Sequence, residues 1–238
     1  IIKKNEGETV IAIAGDVFHN KLDISAEGYA LAAWFFRQLD EIAPTFVIAG
    51  NHDMSKNLER LDPLSMLFSV SQFKNVHYLD SELNYQSGCF VYENLTFALY
   101  SPFDNFARPN IEESRIGNPE NKVVGLYHGA IKGGKTAAGY VFDNGLDTSM
   151  FDGCDFAIVG HIHKRQELTY NGIPIVYCGS LIQQDHGENI SGHGYVVWDV
   201  DTEKFEAKDI ANDEFGYYTF SIENADDIDD NKEQIINL

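Results

Sequence analysis

Thr45-Phe46-Val47-Ile48-Ala49-Gly50-Asn51-His52-Asp53 is an apolar run that ends, without a spacer, in three polar side chains. Its β-branched and aromatic residues fit a strand covered on both faces, and Gly50 lets the backbone turn tightly at its end. The arrangement recurs three times. Val10 to Ala14 runs into Gly15 and Asp16, Val123 to Tyr127 into His128 and Gly129, and Phe156 to Val159 into Gly160, His161, Ile162 and His163. Four strands that each deliver a ligand-type residue predict an α/β fold, because sites in open α/β sheets are built where the carboxyl ends of strands converge. The delivered set is Asp16, Asn51, His128, His161 and His163, with His52 beside the Asn. Carboxylate, amide oxygen and imidazole without thiolate suit manganese, iron or zinc rather than a sulfur-bound structural metal.

At 238 residues and 44% hydrophobic the chain can bury a sizeable core, most simply as one domain. No apolar run approaches membrane-spanning length, so a soluble protein with no membrane association is expected. Three scattered cysteines, Cys89, Cys154 and Cys178, with no C-x-x-C pair, fit a reducing cytosol and a cytoplasmic location. The formal net charge of -20 weighs against non-specific nucleic-acid binding without excluding a nucleic-acid substrate. Residues 199 to 238, with thirteen acidic and three basic side chains, carry half of it. Lys132, Lys135, Lys164 and Arg165 lie within a few residues of the ligand candidates, although ordinary solvated charges read the same way.

Around these strands the pattern predicts a helix capped by Ser25 and running to about Ile42, with Leu31, Phe35, Leu39 and Ile42 on its buried stripe. Asp62 and Pro63 open a short helix, Leu64 to Val70. Short strands follow at Val76 to Leu79, Cys89 to Tyr92 and Thr96 to Tyr100, the last two joined at Glu93 and Asn94. Ser101 to Asn121 carries no periodic signal and reads as a surface loop. Gln166 to Tyr170 and Ile173 to Tyr177 flank Asn171 and Gly172, the signature of a type I′ hairpin; a second hairpin joins Tyr195 to Val200 with Lys204 to Lys208. The plan is two mixed sheets packed face to face with helices outside. Ile1 to Lys4 reads as a helix end, and Asp226 to Asp230 as a poor core former in a linker or the start of a further domain.

Two metal ions about 3.5 to 4 Å apart can clamp a phosphoryl group and lower the pKa of a water towards about 7. One carboxylate must reach both ions, and Asp16 is the natural bridge. His52, next to a ligand, is placed to protonate a leaving alkoxide, which contributes roughly 10² to 10⁴ in rate.

Gly15-Asp16, Gly50-Asn51-His52-Asp53, His128-Gly129 and Gly160-His161-Ile162-His163 occur in the order and approximate spacing of the calcineurin-like metallophosphoesterases, which the chain resembles. Within them it looks most like the nuclease subunit of SbcCD-type DNA repair complexes and of phage recombination endonucleases. That likeness rests on Gly15-Asp16-Val17-Phe18-His19, Gly179-Ser180, Asp185, Gly187-Glu188 and Gly194-Tyr195. The resemblance implies a two-metal phosphodiesterase, a DNA exonuclease and endonuclease of double-strand-break repair or recombination, using Mn2+ with Fe or Zn as alternatives. It implies that Asp16 bridges, that Asn51, His128 and His161 complete one site, that His163 serves the other, that His52 is the catalytic acid and that His19 assists at the substrate. DNA, an SbcC-type ATPase subunit and a second copy of the chain are the implied partners. Residues 1–209 would form the metallophosphoesterase domain and 210–238 the possible start of a capping domain. The family's Asp-x-His motif has no counterpart in the sequence and is expected upstream of Ile1, as the partner-docking segment is expected beyond Leu238. A small phosphodiester or phosphomonoester substrate, or a non-catalytic protein-binding scaffold on the same fold, remain alternatives.

Other histidines invite plainer readings: His186 and His193 as rim loop residues, His77 as a strand residue without a role. Gly129 to Thr136 matches the literal phosphate-loop pattern G-x-x-x-x-G-K-T, but Gly139 and Asp143-Asn144-Gly145 interrupt the helix such a loop must open into. A loop that crosses the metal site and brings Lys132 and Lys135 to phosphate is the expectation instead.

Overall fold

The chain is described here from a computed structural model over residues 9–20, 23–55, 60–212, 215–218 and 232. The helix end expected over Ile1 to Lys4 and the acidic stretch Asp226 to Asp230 lie outside these residues. Three strands, β1 (Ile11–Ile13), β2 (Thr45–Val47) and β3 (Val76–Tyr78), form a parallel sheet in that order. Six more form a mixed sheet. They are β4 (Gly88–Tyr92), β5 (Leu95–Tyr100), β6 (Lys122–His128), β7 (Phe156–Gly160), β8 (Gln166–Tyr170) and β9 (Ile173–Tyr177), ordered β4-β5-β6-β7-β9-β8. β5, β6, β7 and β9 run parallel, while β4 and β8 flank them antiparallel. A separate hairpin joins β10 (Gly194–Asp199) to β11 (Lys204–Asp209).

The two larger sheets meet face to face, as the apolar runs require. Phe46 and Ile48 from the β2 segment interleave with Phe97, Leu99, Leu126 and Phe156 of the six-stranded sheet in one buried cluster. Trp198 of β10 adds to this layer by stacking on Phe156, ring centroids 4.3 Å apart. Between β8 and β9, Asn171 and Gly172 both take positive φ, 49° and 89°, the geometry a type I′ turn demands.

The outer face of the smaller sheet is covered by helices α1 (Ala26–Asp40) and α2 (Pro63–Val70). The Ser25 and Asp62 side chains cap them by accepting the Gly28 and Ser65 amides at 3.1 and 2.8 Å. The face α1 buries is not the expected one. Ala32, Ala33 and Phe36 point inward, whereas Leu31 is 65% exposed and Phe35 and Ile42 also reach the surface. Only Leu39 of the expected stripe is partly buried. The helix carries apolar residues nearly all round; the two alanines lie on its buried face, where Phe36 meets Phe68 of α2 and Phe73 just beyond it.

The stretch expected to be loop also holds structure. A 3-10 turn at Pro102–Asp104 is followed by α4 (Ile111–Gly117), capped by Asn110, whose side chain accepts the Glu113 amide. A shorter helix, α3 (Leu79–Glu82), continues directly from β3. No helix among the described residues is long and apolar enough to cross a membrane, and the three cysteines are free thiols.

Candidate metal centre

The candidate ligands sit at the carboxyl ends of β1, β2, β6 and β7, and buried acids hold the first two of these chain segments in place. After β1 the chain turns through Gly15 and Asp16, both at positive φ (83° and 55°). A Cβ on Gly50 would lie 2.2 Å from Asp16 Oδ1, so the two loops touch there only because Gly50 has no side chain. The fully buried Asp53 carboxylate accepts the amides of Val17 at 3.1 Å, Phe18 at 3.0 Å and Gly50 at 2.9 Å. Burial, opposed by these donors and reinforced by the charge of Asp16, pushes the Asp53 carboxyl up to about 6. Asp80, at the start of α3, braces the same loop by accepting the Ala49 amide at 2.7 Å and the Ser101 hydroxyl. Neither brace was anticipated from sequence.

On this frame Asp16, Asn51, His128 and His161 converge. His128 Nε2 stands 3.1 Å from Asp16 Oδ2 and 3.2 Å from Asn51 Oδ1, and His161 Nδ1 lies 2.8 Å from the same Asn51 oxygen. His128 Nδ1–H donates to the Ala14 carbonyl at 2.6 Å, which turns Nε2 towards two oxygens, where it can carry a proton or a metal. A carboxylate, an amide oxygen and an imidazole nitrogen turned on one another call for a cation between them, a proton on His128 or a metal in its place, so the donor set fits a divalent metal. Burial and the neighbouring charge of His128 bring the His161 imidazole down to about 4, keeping it neutral and available as a ligand at neutral pH. Burial would raise the Asp16 carboxyl, but its hydrogen bond and charge interaction with His128 and the His52 amide, 2.8 Å from Oδ1, hold it below the usual carboxylate range.

The catalytic candidates flank this cluster. His52 Nδ1–H donates to the His19 carbonyl and the two rings stack at 5.6 Å, so Nε2 of His52 is the nitrogen left for chemistry. His163 is not drawn into the cluster of Asp16, His128 and His161. It groups instead with Asp185 and Glu188, its Nδ1–H donating to Glu188 Oε1 at 2.5 Å. Glu188 is nearly buried and also accepts the Gln184 amide at 2.9 Å. His193 bonds Ser180 and the Asn189 carbonyl, His186 packs on Tyr217, and His77 pairs with Glu82; none of these three faces the ligand cluster.

Beside the ligands opens a cleft of about 330 Å³, lined by Asn51, His128 and His161 together with Phe106, Tyr127, Ala130 and Leu146. The segment after β6 crosses here as expected, but as an irregular loop tied by a parallel bridge at Ile131–Leu146 and an antiparallel one at Lys135–Val141, with no helix. That geometry rules out a phosphate loop. Lys132 and Lys135 do not line the cleft, contrary to expectation. The Lys135 backbone pairs with the Gln166 side chain, and Arg165 is bound to Asp209 at 2.8 Å.

Residues 1–165 match the family model described as calcineurin-like phosphoesterase. The uncharacterized protein R555 of Acanthamoeba polyphaga mimivirus is 34% identical over 223 residues, covering 90% of this chain and 16% of R555. A protein of Invertebrate iridescent virus 6 provisionally named a phosphoesterase, 244L, is 26% identical over 187 residues, 76% of this chain and 60% of that protein. The chain therefore spans less than two thirds of either relative.

Proposed function

The chain belongs to the calcineurin-like phosphoesterase family, and from that premise we propose that it is a two-metal phosphodiesterase acting on DNA ends, as exonuclease and endonuclease, within a repair or recombination complex. The observation that carries the catalytic part of this reading is His52. Its amide binds Asp16, its ring is anchored on the His19 carbonyl, and its neighbour Asn51 is a ligand candidate. A binding module has no need of a proton donor at that position.

Asp16, Asn51, His128 and His161 would hold one divalent ion, manganese being the expected metal, and Asp16 with His163 would reach a second. Such ions, when bound, supply Lewis-acid polarisation of the phosphoryl oxygen and a water of lowered pKa. In the hydrolysis a water oxygen forms a new P–O bond as the ester P–O bond breaks. The departing oxygen takes its proton from Nε2 of the His52 imidazolium, which is then reprotonated from solvent. His19 keeps the His52 ring from rotating, so the proton is presented from a fixed position. DNA as substrate and an SbcC-type ATPase as partner are supported by the motif likeness alone.

A second reading is favoured by one observation: the lining of the cleft contains no Lys or Arg. A small phosphodiester needs fewer phosphate contacts than a duplex does. The test is manganese-dependent degradation of an end-labelled DNA duplex beside hydrolysis of bis(p-nitrophenyl) phosphate, with His52→Ala in parallel. Cutting of DNA that His52→Ala abolishes, at unchanged metal content, supports the nuclease. Hydrolysis of the small diester alone moves the substrate to the second reading, and metal binding without turnover of either makes the chain a scaffold.

A further inference from the structure

We propose that the cleft beside the ligands is a subsite for the flat, uncharged ring of one ester substituent, a nucleobase or an aryl group, so that the substrate is taken one unstacked residue at a time. This rests on the phosphodiesterase reading and deepens it.

The chemistry of the walls is divided. Asn51, His128 and His161 bring the ligand cluster to the lining, where a phosphoryl group belongs. Phe106, Tyr127, Ala130 and Leu146 are its apolar and aromatic members, and Asn144 adds an amide able to bond the edge of a ring. With no cationic side chain in the lining, nothing but the ligand side draws an anion, and the remainder favours an apolar, uncharged group. The volume, about 330 Å³, lies at the small end of the range for ligand clefts and suits a nucleoside but not a duplex.

The carbon wall is also built to stay in place. Asn105 and Phe106 are consecutive non-glycine residues in left-handed conformation, φ 60° and 59°. Bulky side chains seldom adopt it, and such outliers concentrate at functional sites. Here the turn is fastened by the Phe106 amide donating to the Ser101 carbonyl at 2.8 Å, and the Phe106 ring meets Tyr127 edge to face at 5.1 Å. In the same lining the Leu146 amide donates to the Ala130 carbonyl at 3.0 Å, and the Tyr177 hydroxyl donates to the Gly129 carbonyl at 2.9 Å. An aromatic ring and an aliphatic side chain, both held in place in one lining, offer a surface on which a flat ring stacks. For DNA this means a frayed or single-stranded end, whose base has left its neighbours, rather than a paired one.

Two measurements test it. The metal-free protein is titrated with thymidine, p-cresol and ribose while amide shifts of Ala130, Gly145 and Leu146 are followed by NMR. Saturable shifts with thymidine or p-cresol and none with ribose are expected, and the tighter of the two tells nucleobase from aryl. With manganese, Phe106→Ala and Leu146→Ser should each raise KM for bis(p-nitrophenyl) phosphate roughly tenfold, leaving inhibition by inorganic phosphate unchanged. Leu146 is partly exposed, so its variant keeps the test decisive should Phe106→Ala misfold. Silent titrations together with unmoved KM values overturn the subsite while leaving the phosphodiesterase intact. Ring binding that both substitutions abolish, in a protein that hydrolyses no phosphoester, upholds the subsite and sinks the enzymatic reading.

Discussion

The Asp53 carboxylate accepts the Phe18 amide at 3.0 Å across 35 residues of sequence, and so locks the loop that carries Asp16 to the loop that carries Asn51. Asp53→Ala would leave three inward-facing amides without a partner and is expected to destabilise the protein by about 3 kcal/mol or more. Manganese affinity should fall with it although no ligand is changed. Urea denaturation and calorimetric titration with manganese check both.

Glu188 holds His163 in the tautomer whose Nε2 is free. Removing such a carboxylate from behind a metal-binding histidine typically costs 10- to 100-fold in affinity. On the proposed two-metal reading, Glu188→Ala should weaken the second metal by about that factor, and Glu188→Gln by less, since the amide oxygen can still accept from Nδ1. In nitrogen-15 spectra of the metal-free protein, both variants should show His163 as a mixture of tautomers.

Asp80 predicts a pH dependence of stability. Burial raises its carboxyl to about 6, against the opposing bonds from Ser101 and Ala49. A raised folded-state pKa means the native state keeps a proton that the unfolded chain has lost. The associated stability is full below about 4 and disappears as pH rises through about 6. Asp80→Asn should remove a downward slope of up to about 1.4 kcal/mol per pH unit in that window. Asp53 titrates in the same sense and leaves a residual slope. Thermal melts from pH 4 to 7 read the difference.

The burial of α1 makes a sharper prediction. Phe36→Ala should cost about 3 to 5 kcal/mol, whereas Leu31→Ser should stay within about 0.5 kcal/mol, as measured by chemical denaturation. The reverse ranking would place the helix one residue out of phase.

That helix shows where sequence reading fails. Leu31, Phe35, Leu39 and Ile42 keep helical spacing, and so do Tyr29, Ala32, Ala33 and Phe36; period alone does not choose between two apolar stripes. What chooses is the closeness of the sheet, which favours alanine at the contact. The strands were legible because each apolar run ends abruptly in a polar residue, and the Asn171-Gly172 hairpin because few other dipeptides tolerate its backbone. Helix α4 left a usable sign in Asn110-x-x-Glu113, a capping pair overshadowed by the prolines around it. The convergence of Asp16, Asn51, His128 and His161 followed from where their strands stop. The turning of His163 towards Glu188, and the braces of Asp53 and Asp80, depend on how distant loops dock, which local pattern does not encode.

Four donors drawn from four strand ends have a thermodynamic corollary. In the unfolded chain Asp16, Asn51, His128 and His161 are dispersed along 146 residues and no tight site exists, so a divalent ion recognises only the state in which both sheets are docked. Mass action then makes the ion part of what keeps those sheets together, contributing about 2.7 kcal/mol when it is present at a hundred times its dissociation constant. On the proposed metal-dependent reading, a chelator should act as a denaturant as well as an inhibitor.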